Sequence, residues 1–402
     1  MPSASPTRRT TRPVPARGPR ATAAVLFLTL LAACSAVTAA NIYLAAPLLS
    51  LMAHDFGSTP SAVAWIASVA QLGYAVGLLL FAPLGDRVNQ RRLVAALTVV
   101  TTLSLAASAA APGTTTLAAA VFVASAATVI PQLLVPLVAE RAPADRRARH
   151  VAAVIAGLFT GIVAARVLGG LAGQTFGWRW VFAGAAVLTA ALGLTTAYAL
   201  PSRRRARDGG SPPSGLAALP SVVRSSPDLR RACLRQAGMF GAWSALWTSL
   251  ALLLTGPAYG LSTATAGLFG LFGLAASVVA PLAGGLVDRF GAARVVRSAY
   301  LLAAVSVPLF WLGGQVMGAL FAAALALHAA LVASHVANQT LALTTTSAPA
   351  TANTAYVVAG FTGGAVASAL AGTAFAHFDW GGVCAVAGLW LVLGWGLSRP
   401  RR

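Results

Sequence analysis

The sequence predicts an all-α polytopic membrane protein, with twelve transmembrane helices in two pseudo-symmetric six-helix bundles. Three observations carry that expectation. The 402-residue chain is 58% hydrophobic and only 9% charged, whereas a soluble domain carries about 25% charged residues to cover its water-facing surface. Apolar runs of the length that crosses a bilayer core recur along the whole chain. An Asp-Arg pair in similar surroundings recurs half a chain apart, at Asp86-Arg87 and Asp288-Arg289, which is the mark of an internal duplication.

The runs lie near 22–50, 62–84, 93–111, 116–139, 150–173, 178–200, 232–255, 262–287, 293–312, 316–343, 354–375 and 381–398, and are referred to below as spans 1 to 12. Ahead of them, residues 1–20 are rich in Pro and Arg and read as a disordered cytoplasmic tail. Span 1 carries two signals that mimic export leaders, the Arg8-Arg9 pair and Leu31-Ala32-Ala33-Cys34. Its apolar run continues to Met52, longer than a leader's apolar core, so it reads as an uncleaved helix. Residues 21–200 then form an N-terminal six-helix bundle. The Pro/Gly/Ser/Arg tract at 201–231 reads as a flexible cytoplasmic linker. Residues 232–398 form the C-terminal bundle, and 399–402 a second cytoplasmic tail.

All 28 basic residues are arginine, and 26 of them fall in the tails, in alternate loops or in the adjoining first turns of spans 7 and 9, on one side of the spans. Arg179 lies on the other side and Arg166 within span 5. The positive-inside rule therefore puts both termini in the cytoplasm, on one side of a membrane crossed many times. The net charge of +20 is an orientation code that also engages anionic lipid headgroups. Nucleic acid is excluded as a partner, because no folded basic face gathers these residues. Without lysine there is no GxxxxGK phosphate loop and no Schiff-base nucleophile. No HExxH or GxSxG pattern occurs, and Cys34, Cys233 and Cys384 lack metal-ligand spacing. The chain is therefore not expected to be an enzyme, or to use a cofactor or a metal.

The two repeated loops carry more than charge. Ala82-Pro83-Leu84-Gly85-Asp86-Arg87-Val88-Asn89-Gln90-Arg91-Arg92 and Gly284-Gly285-Leu286-Val287-Asp288-Arg289-Phe290-Gly291-Ala292-Ala293-Arg294 resemble motif A of the major facilitator superfamily. Ala82 and Asn89 stand where that motif has glycine. The stretches Ala40–Leu49, Gln71–Gly77, Ala164–Gly170, His335–Gln339 and Asn353–Tyr356 are similar to a bacterial branch of sugar- or drug-efflux permeases. The resemblance implies the major facilitator fold and a monomeric secondary active transporter. Such a protein exports a small molecule (drug-like, amphipathic or sugar) by alternating access, with proton exchange as one coupling. An uncoupled facilitator or importer is the alternative within transport, and a membrane-embedded sensor the alternative outside it. The resemblance also implies a conformational latch made by Asp86, Arg87, Arg91, Arg92, Asp288, Arg289 and Arg294. Charge-assisted pairs there would hold helices that separate on a change of state, though the same charges could serve only as interfacial anchors.

Polar groups inside the spans are the substrate candidates, since burying them in a bilayer needs a reason. Arg166 is foremost, flanked by glycines that let neighbouring helices approach. Asn41 and Tyr43 in span 1, Gln71 and Tyr74 sharing a face of span 2, and Gln132 beside the expected Pro131 kink join it. So do Trp243 and Trp247 in span 7, and Asn338 and Gln339 in span 10. Interhelical hydrogen bonding or packing competes with substrate contact at each of them. No Asp or Glu falls mid-span, although the resembling branch has an acid near the position of His328. Histidine titrates near neutrality, so His328 and His335, seven apart in span 10, are the proton-coupling candidates. The scarcity of intramembrane amides and carboxylates favours an amphipathic substrate over a sugar.

Overall fold

The computed structural model describes residues 19–86, 88–141, 147–200, 219–344 and 349–398. These are helical nearly throughout, and no strand occurs among them. The first span is broken. Helix α1 (Pro19–Asn41) ends ahead of Ile42–Ala45, which leave helical form before a 3-10 turn at Ala46–Leu48 and helix α2 (Leu49–Asp55). Pro47 contributes to the interruption, because it has no N–H to donate back along the helix. The two segments are bent 46° from one another.

Span 2 is α3 (Pro60–Val63) followed by α4 (Trp65–Phe81), started by Thr59, whose hydroxyl accepts the Ala62 N–H at 3.3 Å. Helix α5 (Gln90–Ala109) starts at Asn89, whose side-chain oxygen accepts the Arg92 N–H at 3.3 Å. An amide at a motif position occupied elsewhere by glycine thus serves as a helix cap. Span 4 is split into α6 (Thr114–Ala127) and α7 (Ile130–Arg141), with the break just ahead of Pro131. Helices α8 (Arg147–Phe176) and α9 (Trp178–Ala199) complete the first half, joined at Gly177 with a φ of 90° that suits glycine. In the tract read as linker, α10 (Leu219–Ser225) is helical and α11 (Pro227–Thr255) already begins, capped by the Ser226 hydroxyl.

The second half repeats the plan. Span 8 comprises α12 (Thr263–Leu268), a 3-10 stretch at Phe269–Leu274 and α13 (Ala275–Phe290). Helices α14 (Ala292–Leu312) and α15 (Met317–Thr344) follow. Helix α16 (Pro349–Gly396) counts 48 residues, about 70 Å if straight and more than twice a bilayer core. It is two spans folded back at Phe378 and Asp379, whose φ/ψ leave helical space. Gly363 and Gly394, on opposite arms, accordingly lie against Ala237 and Gly238 of α11. Among the described residues, nine helices pass a membrane-crossing test and the bent first pair makes a tenth. Counting α16 as two and the composite span 8 as one agrees with twelve crossings.

Glycine sets the packing inside each half. A methyl added at Gly157 or Gly161 of α8 would collide with the carbonyl oxygens of Ala32 and Ala36 of α1. The same closeness joins α11 to the first arm of α16 through Ala237 and Gly363, as expected of duplicated halves. Between halves, α4 lies on α16 and α8 on α12. Ser50 and Thr255 hydroxyls meet at 2.7 Å, and Thr263 N–H donates to Gln174 Oε1 at 3.2 Å. At this same end Arg179 ties three turns together: it pairs with Asp55 at 2.9 Å and donates to the carbonyls of Ala109 and Ala111.

Candidate functional site

The break in α1 has a consequence at the centre of the molecule. It sets Tyr43 against Arg166 of α8, with the guanidinium carbon 5.1 Å from the ring centroid. Trp243 and Trp247 lie four apart on α11 and so share one face, which approaches Arg166 from the opposite half. Their centroids are 5.0 and 5.3 Å from the same carbon. Arg166 is 7% exposed and has no hydrogen bond or ion pair among the described residues. Three electron-rich rings surround it instead, each cation–π contact worth about 0.5–2 kcal/mol when desolvated. That is comparable to the roughly 3 kcal/mol that a mid-membrane arginine costs on insertion scales. The rings thus offset much of the burial cost while leaving every N–H of the guanidinium unmatched.

His328 of α15 completes this cluster. Its Nε2 accepts the indole N–H of Trp243 at 3.3 Å, and its Nδ1 lies 3.1 Å from the Ala324 carbonyl. Those partners assign a neutral imidazole with its proton on Nδ1. Its ring stands edge-on to Trp247 at 4.7 Å. From Trp243 an aromatic row continues through Phe240, 5.2 Å away, to Phe361, 4.9 Å further, and on to Tyr74, 4.6 Å beyond. Gln132 donates to the Tyr74 hydroxyl at 3.3 Å. Beside the row runs a polar ladder between halves: Ser244 donates to Gln71 Oε1 at 2.9 Å, and the Ser68 and Ser368 hydroxyls meet at 2.7 Å.

The structure therefore gathers Tyr43, Gln71, Tyr74, Gln132, Arg166, Trp243, Trp247 and His328 along the plane between the halves. It does not gather the others. Asn41 is turned into the N-terminal bundle, donating to Thr128 and Thr189 at 3.3 and 3.1 Å. Asn338 donates to Ser334 of its own helix, and Gln339 to Asn353 at 2.8 Å. His335 belongs to a separate group, its ring centroid 5.4 Å from that of Tyr356 and tilted 50° to it, and the Tyr356 hydroxyl donates to Gln236 at 2.7 Å. Phe240, Phe361, Ser68, Ser244, Ser368 and Gln236 escaped the sequence reading. Phenylalanine and serine are too common in apolar spans to stand out, while Gln236 carried the one recoverable signal, an amide inside span 7.

Of the latch residues, Arg87 and the side chain of Asp86 lie outside the described residues. Arg91 places its guanidinium 5.0 Å over the Tyr198 ring, and Arg92 contributes the capped N–H already noted. Asp288, Arg289 and Arg294 are exposed and form no ion pair among the described residues; Arg289 lies over Phe290 at 5.1 Å. Residues 1–18, 201–218 and 399–402, within the expected tails and linker, likewise fall outside the described residues.

Known proteins resemble this chain throughout. The family profile of the major facilitator superfamily matches residues 31–372. A Streptomyces coelicolor protein named a probable transporter is 79% identical over 100% of this chain and 93% of its own. The uncharacterized transporter YgaY of Escherichia coli O157:H7 is 32% identical over 89% of this chain and 91% of its own. Among solved structures, the nucleoside transporter NupG superposes with a TM-score of 0.72 at 15% identity, covering 92% of this chain and 97% of that one. A D-xylose-proton symporter gives 0.71 at 17%, covering 94% and 97%. At such identities the likeness is one of fold.

Proposed function

This chain belongs to the major facilitator superfamily, and from that premise we propose that it exports small amphipathic molecules by alternating access, in exchange for protons. It is a multi-pass membrane transporter; the direction, the coupling and the site are the proposal. The reading places a monomer in the bacterial plasma membrane with both termini cytoplasmic, following the arginine bias.

One observation carries it. The Arg166 cage takes Arg166 and Tyr43 from one half and Trp243, Trp247 and His328 from the other. A cluster shared in this way is remade whenever the halves rock, as alternating access requires. Close glycine contacts between α8 and α12 supply a surface on which they can move. The charges of the second copy, Asp288, Arg289 and Arg294, form no ion pair among the described residues and serve, with those of the first copy, as the latch that closes in the opposite state.

Proton coupling follows from the Trp243–His328 bond. A proton arriving on Nε2 of His328 removes the acceptor that Trp243 uses, and sets a second cation beside Arg166. Both effects loosen Trp243 from the cage. Protonation therefore favours separation of the halves. His335, whose ring meets Tyr356 and none of the cage residues, plays no part in this step.

The test is transport into vesicles reconstituted with the full chain, with and without an imposed pH gradient. Accumulation driven by the gradient, lost in His328→Gln, supports the proposal. Gradient-independent equilibration in the wild type would establish an uncoupled facilitator instead. Flux for no compound class would favour a sensor.

A further inference from the structure

The chemistry left open at the cage specifies what it binds. Arg166 offers five N–H donors in a planar fork, and none has a hydrogen-bond partner among the described residues. Trp247 adds another: its indole N–H is buried without a partner. Both residues border one cavity of about 20 Å³, otherwise walled by Ala46, Pro47, Leu250 and Phe269 among other apolar groups. The imidazole of His328 has no free acceptor to offer, because Nε2 is taken by Trp243. The site thus holds a fixed positive charge and unmatched donors, with apolar and aromatic walls and the Tyr43 hydroxyl as the one free side-chain acceptor among its named residues.

We propose that the substrate is a small organic anion with an apolar or aromatic body, its carboxylate held by Arg166 and the Trp247 indole N–H. This inference rests on the transport reading for its site and narrows the substrate class. A carboxylate accepts two parallel bonds from a guanidinium fork and a third from an indole N–H. Its neutralising charge replaces what the ring faces alone supply. A sugar is disfavoured, since its several hydroxyl protons would find one side-chain acceptor, the Tyr43 hydroxyl. An organic cation is disfavoured more strongly, since Arg166 already fills the ring cage and would repel it at close range. The cavity is too small for such a ligand in this state, so the anion enters as the halves part and its apolar body takes the space between the rings.

The experiment measures equilibrium binding to the purified full chain for three isosteres: 2-naphthoate, its neutral carboxamide, and 2-naphthylmethylammonium. Naphthoate should bind saturably and the other two at least about tenfold more weakly, the loss expected for one charged bond. Arg166→Gln should abolish the preference. Arg166→Lys, which keeps the charge but not the fork, should weaken naphthoate while leaving its order over the amide. Thermal melting of both variants separates lost binding from lost fold, and Lys serves if Gln does not fold. A naphthoate affinity weaker than about 10 mM, equal affinity in Arg166→Gln, or tighter binding of the ammonium compound would each overturn the inference. Transport of a neutral or cationic compound without anion binding would overturn it while leaving the transport reading intact. Anion binding without flux would do the reverse.

Discussion

Trp243 gives its indole N–H to Nε2 of His328 at 3.3 Å. The same indole presents its face to Arg166, so a titratable group and a fixed charge are joined through one rigid side chain. Replacing Trp243 by Phe keeps the ring and deletes the N–H. The neutral imidazole loses the donor that favours it, so the midpoint of pH-dependent transport moves to higher pH. An unmoved midpoint in vesicles across a pH series would break the link between Trp243 and the proton.

His328 and His335 should part company. His328→Gln is expected to lose gradient-driven accumulation while keeping exchange of substrate down its own gradient. His335→Gln, whose partner Tyr356 lies in the same half, should keep full coupling. Vesicle uptake at matched and mismatched pH reads both, and coupling retained by the two variants refutes the assignment.

The Ser68–Ser368 contact, 2.7 Å between hydroxyls across the halves, offers a direct check on rocking. In a background free of native cysteines, Ser68→Cys with Ser368→Cys should form a disulfide on mild oxidation and stop transport, with reductant restoring it. Side chains this close are within disulfide reach. Cross-linked protein that still transports would rule out separation along this plane.

Gly161→Ala should lower the melting temperature of the purified protein, because its methyl would meet the Ala36 carbonyl. Overpacking of this kind costs about 1–3 kcal/mol. Gly284→Ala has nothing within 4 Å to strike, and should leave stability unchanged or raise it by up to about 1 kcal/mol through helix propensity.

At the turns, Arg179→Ala should destabilise more than Asp55→Asn. Their ion pair is 40% and 45% exposed, which limits it to about 1 kcal/mol or less. Arg179 also holds two backbone carbonyls, and those bonds vanish only in the arginine variant. Equal losses in a thermal-melt comparison would contradict this division.

Much of this architecture was legible in the residues, for reasons that differ between parts. Spans declare themselves because a bilayer demands long apolar runs, and Arg166 because a charge there needs a purpose. The Trp243–Trp247 spacing foretold a shared face, and that face meets Arg166. Which way a face points was not legible. Asn41 and Tyr43 are two residues apart, yet the break before Pro47 sends one into the N-terminal bundle and the other to the cage. The seventh-residue spacing of His328 and His335 suggested one stripe, but different neighbours, Trp243 for one and Tyr356 for the other, divide them. Partner identity depends on which helix comes alongside, and single residues of Ser or Phe in a span carry no record of that.

The seam between α8 and α12 joins site and scaffold more tightly than either alone suggests. A methyl at Gly267 would sit 2.5 Å from the backbone oxygen of Arg166, and one at Gly270 would sit 2.6 Å from its Cβ. The helix that leans on the other half leans on Arg166 itself. Any tilt of α12 must therefore press on, or lift from, the residue whose charge occupies the cage, with no intervening element to absorb the motion. On the proposed reading gate and binding charge are one mechanical part, and mutations that alter the angle between the halves should change affinity in the same stroke.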